Sequence, residues 1–172
     1  MVLSYKEFYH YDNKGNVIQI NTFKADMTLH TKDVFKFDDK GNKIESVNYL
    51  PELDLHFKYS SKFDDNGNQI ELNGIDSNGV FQQRNTFSYD EKGNLTETKK
   101  FKEDGSIWSV EKSKYDYEGN IIENKEYNDK MELTHCSKSE YTYDQQKNWI
   151  LQIFFKDDIP QNIIEREIEY HK

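Results

Sequence analysis

Apolar and polar residues alternate along much of this chain with period two, and the alternation restarts at a fixed interval. From position 29 one parity reads Leu29, Thr31, Asp33, Phe35, Phe37 and the other His30, Lys32, Val34, Lys36. From position 55 the same reading gives Leu55, Phe57, Tyr59, Ser61, Phe63 against His56, Lys58, Ser60, Lys62. A third run is Phe81, Gln83, Asn85, Phe87, Tyr89. Successive side chains of a strand point to opposite faces, so the pattern predicts strands with one apolar-rich and one polar face. The stretches between these runs are less regular. Ile44 and Tyr49 have opposite parity, so either both faces carry apolar cover there or a bulge resets the phase. No long segment shows helical periodicity. Ile163 to Tyr170 has a helix-like composition, but its place in the repeat predicts a strand.

The interval is set by a repeated turn. An aromatic residue, Asp, two variable positions, Gly and Asn begin at Tyr11, Phe37, Phe63, Tyr89 and Tyr115 at a spacing of 26 residues, and YDQQKN follows at Tyr143 after 28. Asp at the head of such a turn accepts from amides just downstream, and Gly supplies the left-handed conformation that closes a type I turn. Lys147 stands where the sixth unit should have Gly. A second, looser turn is expected within each unit, at KADM (24–27), LPEL (50–53), DSNG (76–79), KEDG (102–105) and NDKM (128–131). Pro51 and Pro160 fall in these loops and spare the strands. Glu45, Glu71, Glu97 and Glu123 recur on the first strand of a unit, and Lys36, Lys62 and Lys114 on the second, placed to pair across hairpins.

The predicted architecture is therefore all-β. One repeat domain, 1–172, forms a meander of about twelve antiparallel strands, two per unit, in one long, twisted, curved sheet. Residues 1–10 supply a leading strand, units start at 11, 37, 63, 89, 115 and 143, and the last units are degenerate. The rungs Phe37, Phe63, Tyr89, Tyr115 and Tyr143 should form an aromatic ladder on one face.

Composition changes this picture in one respect. Charged residues make up 32% and the hydrophobic class 34%, and the net charge is −9, values usually met in disordered chains. The aromatic content of 15% argues for a fold whose thin core is made of rings. The acidic balance disfavours nucleic acid as a partner. No apolar run approaches a transmembrane span, no signal-peptide core is visible at the start, and Cys136, the one cysteine, rules out an internal disulfide.

YDEKGNLTETKKFKEDGSIWSVEKSKYD (89–116) resembles the YD (RHS-type) repeat of bacterial surface and toxin proteins, and the resemblance runs from residue 11 to about 170. It departs from the family in having Gly-Asn where Gly-Arg is usual and in its longer period. The resemblance implies an extended, spiralling β-sheet and a setting at the bacterial cell surface or in a secreted protein. A cytoplasmic, immunity-type protein-interaction role is the alternative. No catalytic residue carries over, because the motif is a turn.

The candidate chemistry is sparse. FDDKGN and FDDNGN lack the ligand spacing of a calcium loop, and the plain turn explains them. His30 and His56 share a repeat position two strands apart, too far for one metal. No nucleophile, phosphate-binding or zinc motif is present, so neither an enzyme nor a cofactor or metal is expected, a polysaccharide-acting enzyme being the least favoured reading. The recurring polar residues show no single departure from the repeat that would mark an active site. The aromatic ladder either is simply the core or offers rings to a carbohydrate or a protein partner. Trp108, replacing the histidine of positions 30 and 56, is the leading candidate contact, followed by Tyr59, Phe57 and Tyr89. Trp149 is expected to cover the end of the sheet. A single sheet leaves an apolar face open, so packing against a second copy is also expected.

The turn chemistry yields a first prediction. Gly93→Val places a β-branched residue in the left-handed region and is expected to destabilise the protein by about 1 kcal/mol or more, read as a lower urea midpoint. An unchanged midpoint would refute the turn assignment.

Overall fold

A computed structural model describes residues 4–170, so positions 1–3 and 171–172 of the predicted repeat domain lie outside the described residues. Thirteen strands follow one another in chain order in an antiparallel sheet. They are β1 (Tyr5–Tyr11), β2 (Val17–Lys24), β3 (Leu29–Phe37), β4 (Lys43–Leu50), β5 (Leu55–Phe63), β6 (Gln69–Asp76), β7 (Phe81–Tyr89), β8 (Leu95–Phe101), β9 (Ile107–Tyr115), β10 (Ile121–Tyr127), β11 (Leu133–Tyr143), β12 (Trp149–Lys156) and β13 (Ile159–Glu165). The count is the expected two strands per unit plus the leading strand. The chain divides into two compact units, Met1–Thr86 with Lys102–Gly105 and Phe87–Phe101 with Ser106–Lys172.

The Asp-Gly-Asn turns form as the sequence predicts. In the first, the Gly15 amide donates to the Asp12 carbonyl at 3.2 Å and the Asp12 amide to the Asn16 carbonyl at 3.0 Å. The Asp12 carboxylate accepts from the Lys14 amide at 2.9 Å and the Asn16 amide at 2.8 Å. Asn16 closes the ring by donating its side-chain amide to the other Asp12 oxygen at 2.9 Å. This explains why Asn recurs after Gly. Gly93 has φ +85°, and Lys147 adopts the same left-handed conformation at φ 65°. The mid-unit turns are not looser, which corrects the expectation. Lys24, Asp76 and Asn128 each donate their amide to a carbonyl four residues on, as Asp12 does. Met27 and Met131 occupy the left-handed position that Gly79 fills elsewhere. The exception is LPEL, where Pro51 starts a single 3-10 turn, Pro51–Leu53.

A bulge, and not a two-sided apolar strand, resolves the parity of Ile44 and Tyr49. Phe37 pairs with Lys43 but Lys36 with Glu45, so Ile44 is an extra residue. The same slip leaves Ile18, Ile70, Ile122 and Ile150 as extra residues in their units. In these five units the isoleucine after the tight turn is thus the bulge position; in the unit that starts at Tyr89 the place is held by Thr96. A second series of slips at the other hairpin ends makes His30, Gln82, Trp108 and Thr134 the extra residues.

Register then fixes the faces, since residues directly opposite one another in an antiparallel pair share a face. In the first unit Phe35, Ser46, Tyr59, Gly74 and Gln83 form one row. Tyr11, Phe37 and Phe63 share that face by strand alternation. In the second unit Ser113, Asn124 and Ser137 are in one row, which places Tyr115 and Tyr143 together. Phe37 and Phe63 thus share a face in the first unit, and Tyr115 and Tyr143 share one in the second. The opposite face carries ion pairs: Glu45 binds Lys36 at 2.7 Å and Lys58 at 2.6 Å, Glu71 binds Lys62 at 3.0 Å, and Glu123 binds Lys114 at 2.8 Å and Lys125 at 2.9 Å.

Tyrosines also clamp neighbouring turns. The Tyr143 hydroxyl donates to the Asp116 carboxylate and accepts from the Asn120 amide at 2.7 Å. Burial, followed by the Asp116 carboxylate, pushes that hydroxyl up to about 12. Tyr170 repeats the arrangement on Asp144 and Asn148. The strand expected to reach Tyr170 instead ends at Glu165, with one further backbone bond from the Arg166 amide to the Ile150 carbonyl at 2.9 Å. The Arg166 guanidinium lies over Trp149 at 4.1 Å, and the Tyr141 ring meets the indole edge-on.

Among the described residues Val110 is the sole buried apolar side chain, at 1% exposure. Gly74 is buried too, because the Tyr59 ring lies across it. A Cβ at position 74 would sit 2.7 Å from Tyr59 Cε1 and 2.8 Å from Cδ1. Gly74→Ala is expected to cost about 1–3 kcal/mol by overpacking, measured by urea unfolding, and Tyr59→Leu in the same chain should recover part of the loss. An additive double variant would show that the ring and the glycine are independent.

Acid should also weaken the sheet. The Lys36 and Lys58 ammonium groups hold the Glu45 carboxyl below the usual range, Lys114 and Lys125 do so for Glu123, and the Asn42 side chain does so for Asp38. A carboxyl depressed on folding contributes stability that is complete above its unfolded value of about 4 and is lost as pH falls through the lower folded value. The thermal midpoint is expected to stay level down to about pH 5 and to fall below about pH 4. A midpoint that rises on acidification would deny these carboxylates a stabilising role.

Candidate functional site

Trp108 stands at a bulge in the second unit, where Lys100 pairs with Ser109 but Phe101 pairs with Ile107. An extra residue in a strand disturbs the alternation of side chains, so two neighbours can face the same side. Trp108 and Ser109 accordingly line one groove, on the face that carries Tyr115 and Tyr143. The indole is 62% exposed. The groove measures about 330 Å³ and includes Thr98, Lys100, Glu111, Glu126, Tyr127 and Thr134 in its lining.

Its floor is a row of directly opposed residues, Thr98 on β8, Glu111 on β9 and Glu126 on β10, and the row continues beyond the groove to His135 on β11. Glu111 accepts from the Asn124 amide at 2.7 Å. Glu126 is exposed, and its backbone carbonyl accepts from the Thr134 hydroxyl at 3.1 Å. The Asn128 side chain at the end of the groove is committed to its own turn, accepting from the Lys130 and Glu132 amides at 3.0 Å each.

The Glu111–Glu126 pair corrects the expectation that no residue departs from the repeat. Asp33–Asn48 and Tyr59–Gly74 are the equivalent pairs of the first unit. Asn48 donates to Asp33 at 2.7 Å, and Tyr59 packs on Gly74. Two carboxylates replace these complementary partners at 111 and 126. The two positions are 15 residues apart in the chain, so only the strand register reveals them as partners. Superposing the repeats on a hairpin register would have exposed the pair.

The other candidate residues are placed differently. Phe57 and Tyr59 lie half-buried on β5 in the first unit, Phe57 between Asn48 and Asp76 and Tyr59 over Gly74. Their rings are engaged in packing. Tyr89 is half-buried at the end of β7. Among the described residues no three His, Cys, Asp or Glu side chains are grouped to hold a metal ion, and no helix is long and apolar enough to cross a membrane.

The fold defines a class, an all-β protein of repeated antiparallel hairpins in chain order. No family model and no curated protein matches the chain. Among solved structures it is similar to a crystal structure of TcdB2-TccC3-Cdc42, at 15% identity and a TM-score of 0.56, over 93% of this chain and 9% of that one. It is also similar to a crystal structure of a porin-like protein from Bacteroides uniformis ATCC 8492, at 13% identity and a TM-score of 0.41, over 93% of this chain and 90% of that one. The first likeness is one of fold, and this chain spans a small part of that neighbour's length.

Proposed function

We propose that the chain is a non-enzymatic, YD-like repeat module of a bacterial surface or secreted protein, and that its ring-bearing face binds carbohydrate at the Trp108 groove. The observation that carries this reading is the exposed indole, held open by a bulge beside carboxylates and hydroxyls. Flat aromatic rings stack on the C–H faces of sugars while polar neighbours take the hydroxyls. The repeat resemblance, and the fold likeness to part of a much longer chain, support a module carried within a larger protein.

Glu111 and Glu126 have the composition of a glycosidase pair, but their arrangement favours binding. Hydrolysis needs carboxyl groups flanking the scissile bond. These two stand side by side on one face of a sheet and would meet a sugar from the same side. The test is a glycan array read with the chain and with Trp108→Ala. The expected result is a set of glycans bound by the first and lost by the second, with no new reducing ends released. Release of reducing ends would make the protein an enzyme, and an array without Trp108-dependent binding would overturn the binding reading.

A further inference from the structure

We propose that the outer edge of β1 is a dimerisation seam, at which two copies of this chain pair antiparallel about a twofold axis through Phe8. The inference is independent of what the Trp108 groove binds. Among the described residues β1 and β13 end the strand order, so each leaves one edge without a strand partner. Folded proteins blunt such edges with proline, bulges and charge. β13 is blunted in this way: it contains Pro160, which has no amide to donate, and its pairing slips between Phe154 and Phe155. β1 contains no proline, and its pairing with β2 runs without a slip from Tyr5 to His10. All 7 of its residues are exposed, and the rings of Tyr5, Phe8, Tyr9 and Tyr11 lie between 46% and 59% exposure.

Backbone alternation sets how this edge can be used. The Asp12 amide donates across the turn to the Asn16 carbonyl. His10, Phe8 and Lys6 therefore direct their backbone groups to β2, and Tyr11, Tyr9, Glu7 and Tyr5 direct theirs outward. About a twofold axis perpendicular to the sheet, opposed residues share a face, so the pairing joins residues of like parity. Centring the axis on Phe8 opposes the whole strand: Tyr5 to Tyr11 of the second copy, Lys6 to His10, Glu7 to Tyr9, and Phe8 to itself. The outward groups then meet in about eight backbone hydrogen bonds. No carboxylate directly faces a carboxylate and no lysine a lysine. The Glu7 carboxylate, which accepts from the Tyr9 hydroxyl of its own strand, gains a second Tyr9 opposite it. Moving the axis to Glu7 sets two carboxylates against each other, and moving it to Tyr9 leaves Tyr5 and Lys6 outside the strand pair. A seam about 24 Å long is smaller than a permanent interface, which sets the expected dissociation constant in the micromolar range.

Sedimentation velocity of the full chain over ~1–300 μM tests this, with monomer expected at the low end and dimer at the high end. Tyr9→Pro removes an outward amide and spares the bonds to β2, so it should raise the dissociation constant about tenfold or more. Ile163→Lys on β13 should leave the dimer unchanged. In a Cys136→Ser chain, Phe8→Cys should oxidise to a disulfide-linked dimer, because opposed residues of a non-hydrogen-bonded pair bring their Cβ atoms close. Lys6→Cys, about 14 Å from its own counterpart in this register, should not. Thermal midpoints separate a lost seam from a lost fold, and if Tyr9→Pro lowers its midpoint the cysteine pair carries the test. A chain that stays monomeric throughout overturns the proposal. So does a dimer that survives Tyr9→Pro, which would lie on the open ring face, or one lost with Ile163→Lys, which would lie at β13. Cross-linking at position 6 in preference to position 8 overturns the register on which the seam is argued.

Discussion

A left-handed residue closing each tight turn, followed by one extra residue in the returning strand, is the constraint on which this sheet depends. The turn fixes where a strand reverses, and the slip fixes which side chains then face which way. Side-chain alternation has period two, so a single-residue shift exchanges the faces of everything that follows. Without the slip at Ile44, Tyr49 and Glu45 would change sides and the lysine–glutamate rows would come apart. The Asp–Asn ring within each turn holds this geometry with groups that need no burial. That suits a chain with so few buried apolar side chains.

The two faces divide the work of stability. One carries glutamates paired with lysines of the adjacent or the same strand, each exposed pair individually weak but recurring from repeat to repeat. The other carries rings, and these rings do more than pack. Tyr143 and Tyr170 bind the Asp and Asn of the preceding turn, so one unit supports the next. Phe37 and Phe63 lack the hydroxyl, and in the turns that precede them the Asn16 and Asn42 side chains bond Asp12 and Asp38.

The Trp108 groove arises from the same device that builds the fold. The mid-unit bulge places His30, Gln82, Trp108 and Thr134 at equivalent positions. Thr134 turns its hydroxyl back onto the Glu126 carbonyl, and Trp108 presents a large ring outward. A repeat scaffold can acquire a site by substituting a few residues at a bulge and one cross-strand pair, leaving the turns intact.

The amino-acid sequence by itself determined the turns, the number of strands, their chain order and the cross-hairpin ion pairs. These depend on local backbone preference and on period-two patterning, both written in neighbouring residues. It also singled out Trp108, because a tryptophan in the repeat column that holds His30 and His56 is visible without coordinates. Tertiary structure alone decided the bulges, since two residues opposing one is a property of a strand pair and not of either strand. It decided that Tyr59 is committed to Gly74, and that Glu111 faces Glu126, because contacts between residues 15 apart depend on a register that the slips reset. The strand end at Glu165 was likewise a tertiary outcome. Beyond it the Arg166 amide still donates to the Ile150 carbonyl, and Arg166 and Tyr170 have side-chain partners in Trp149 and Asp144.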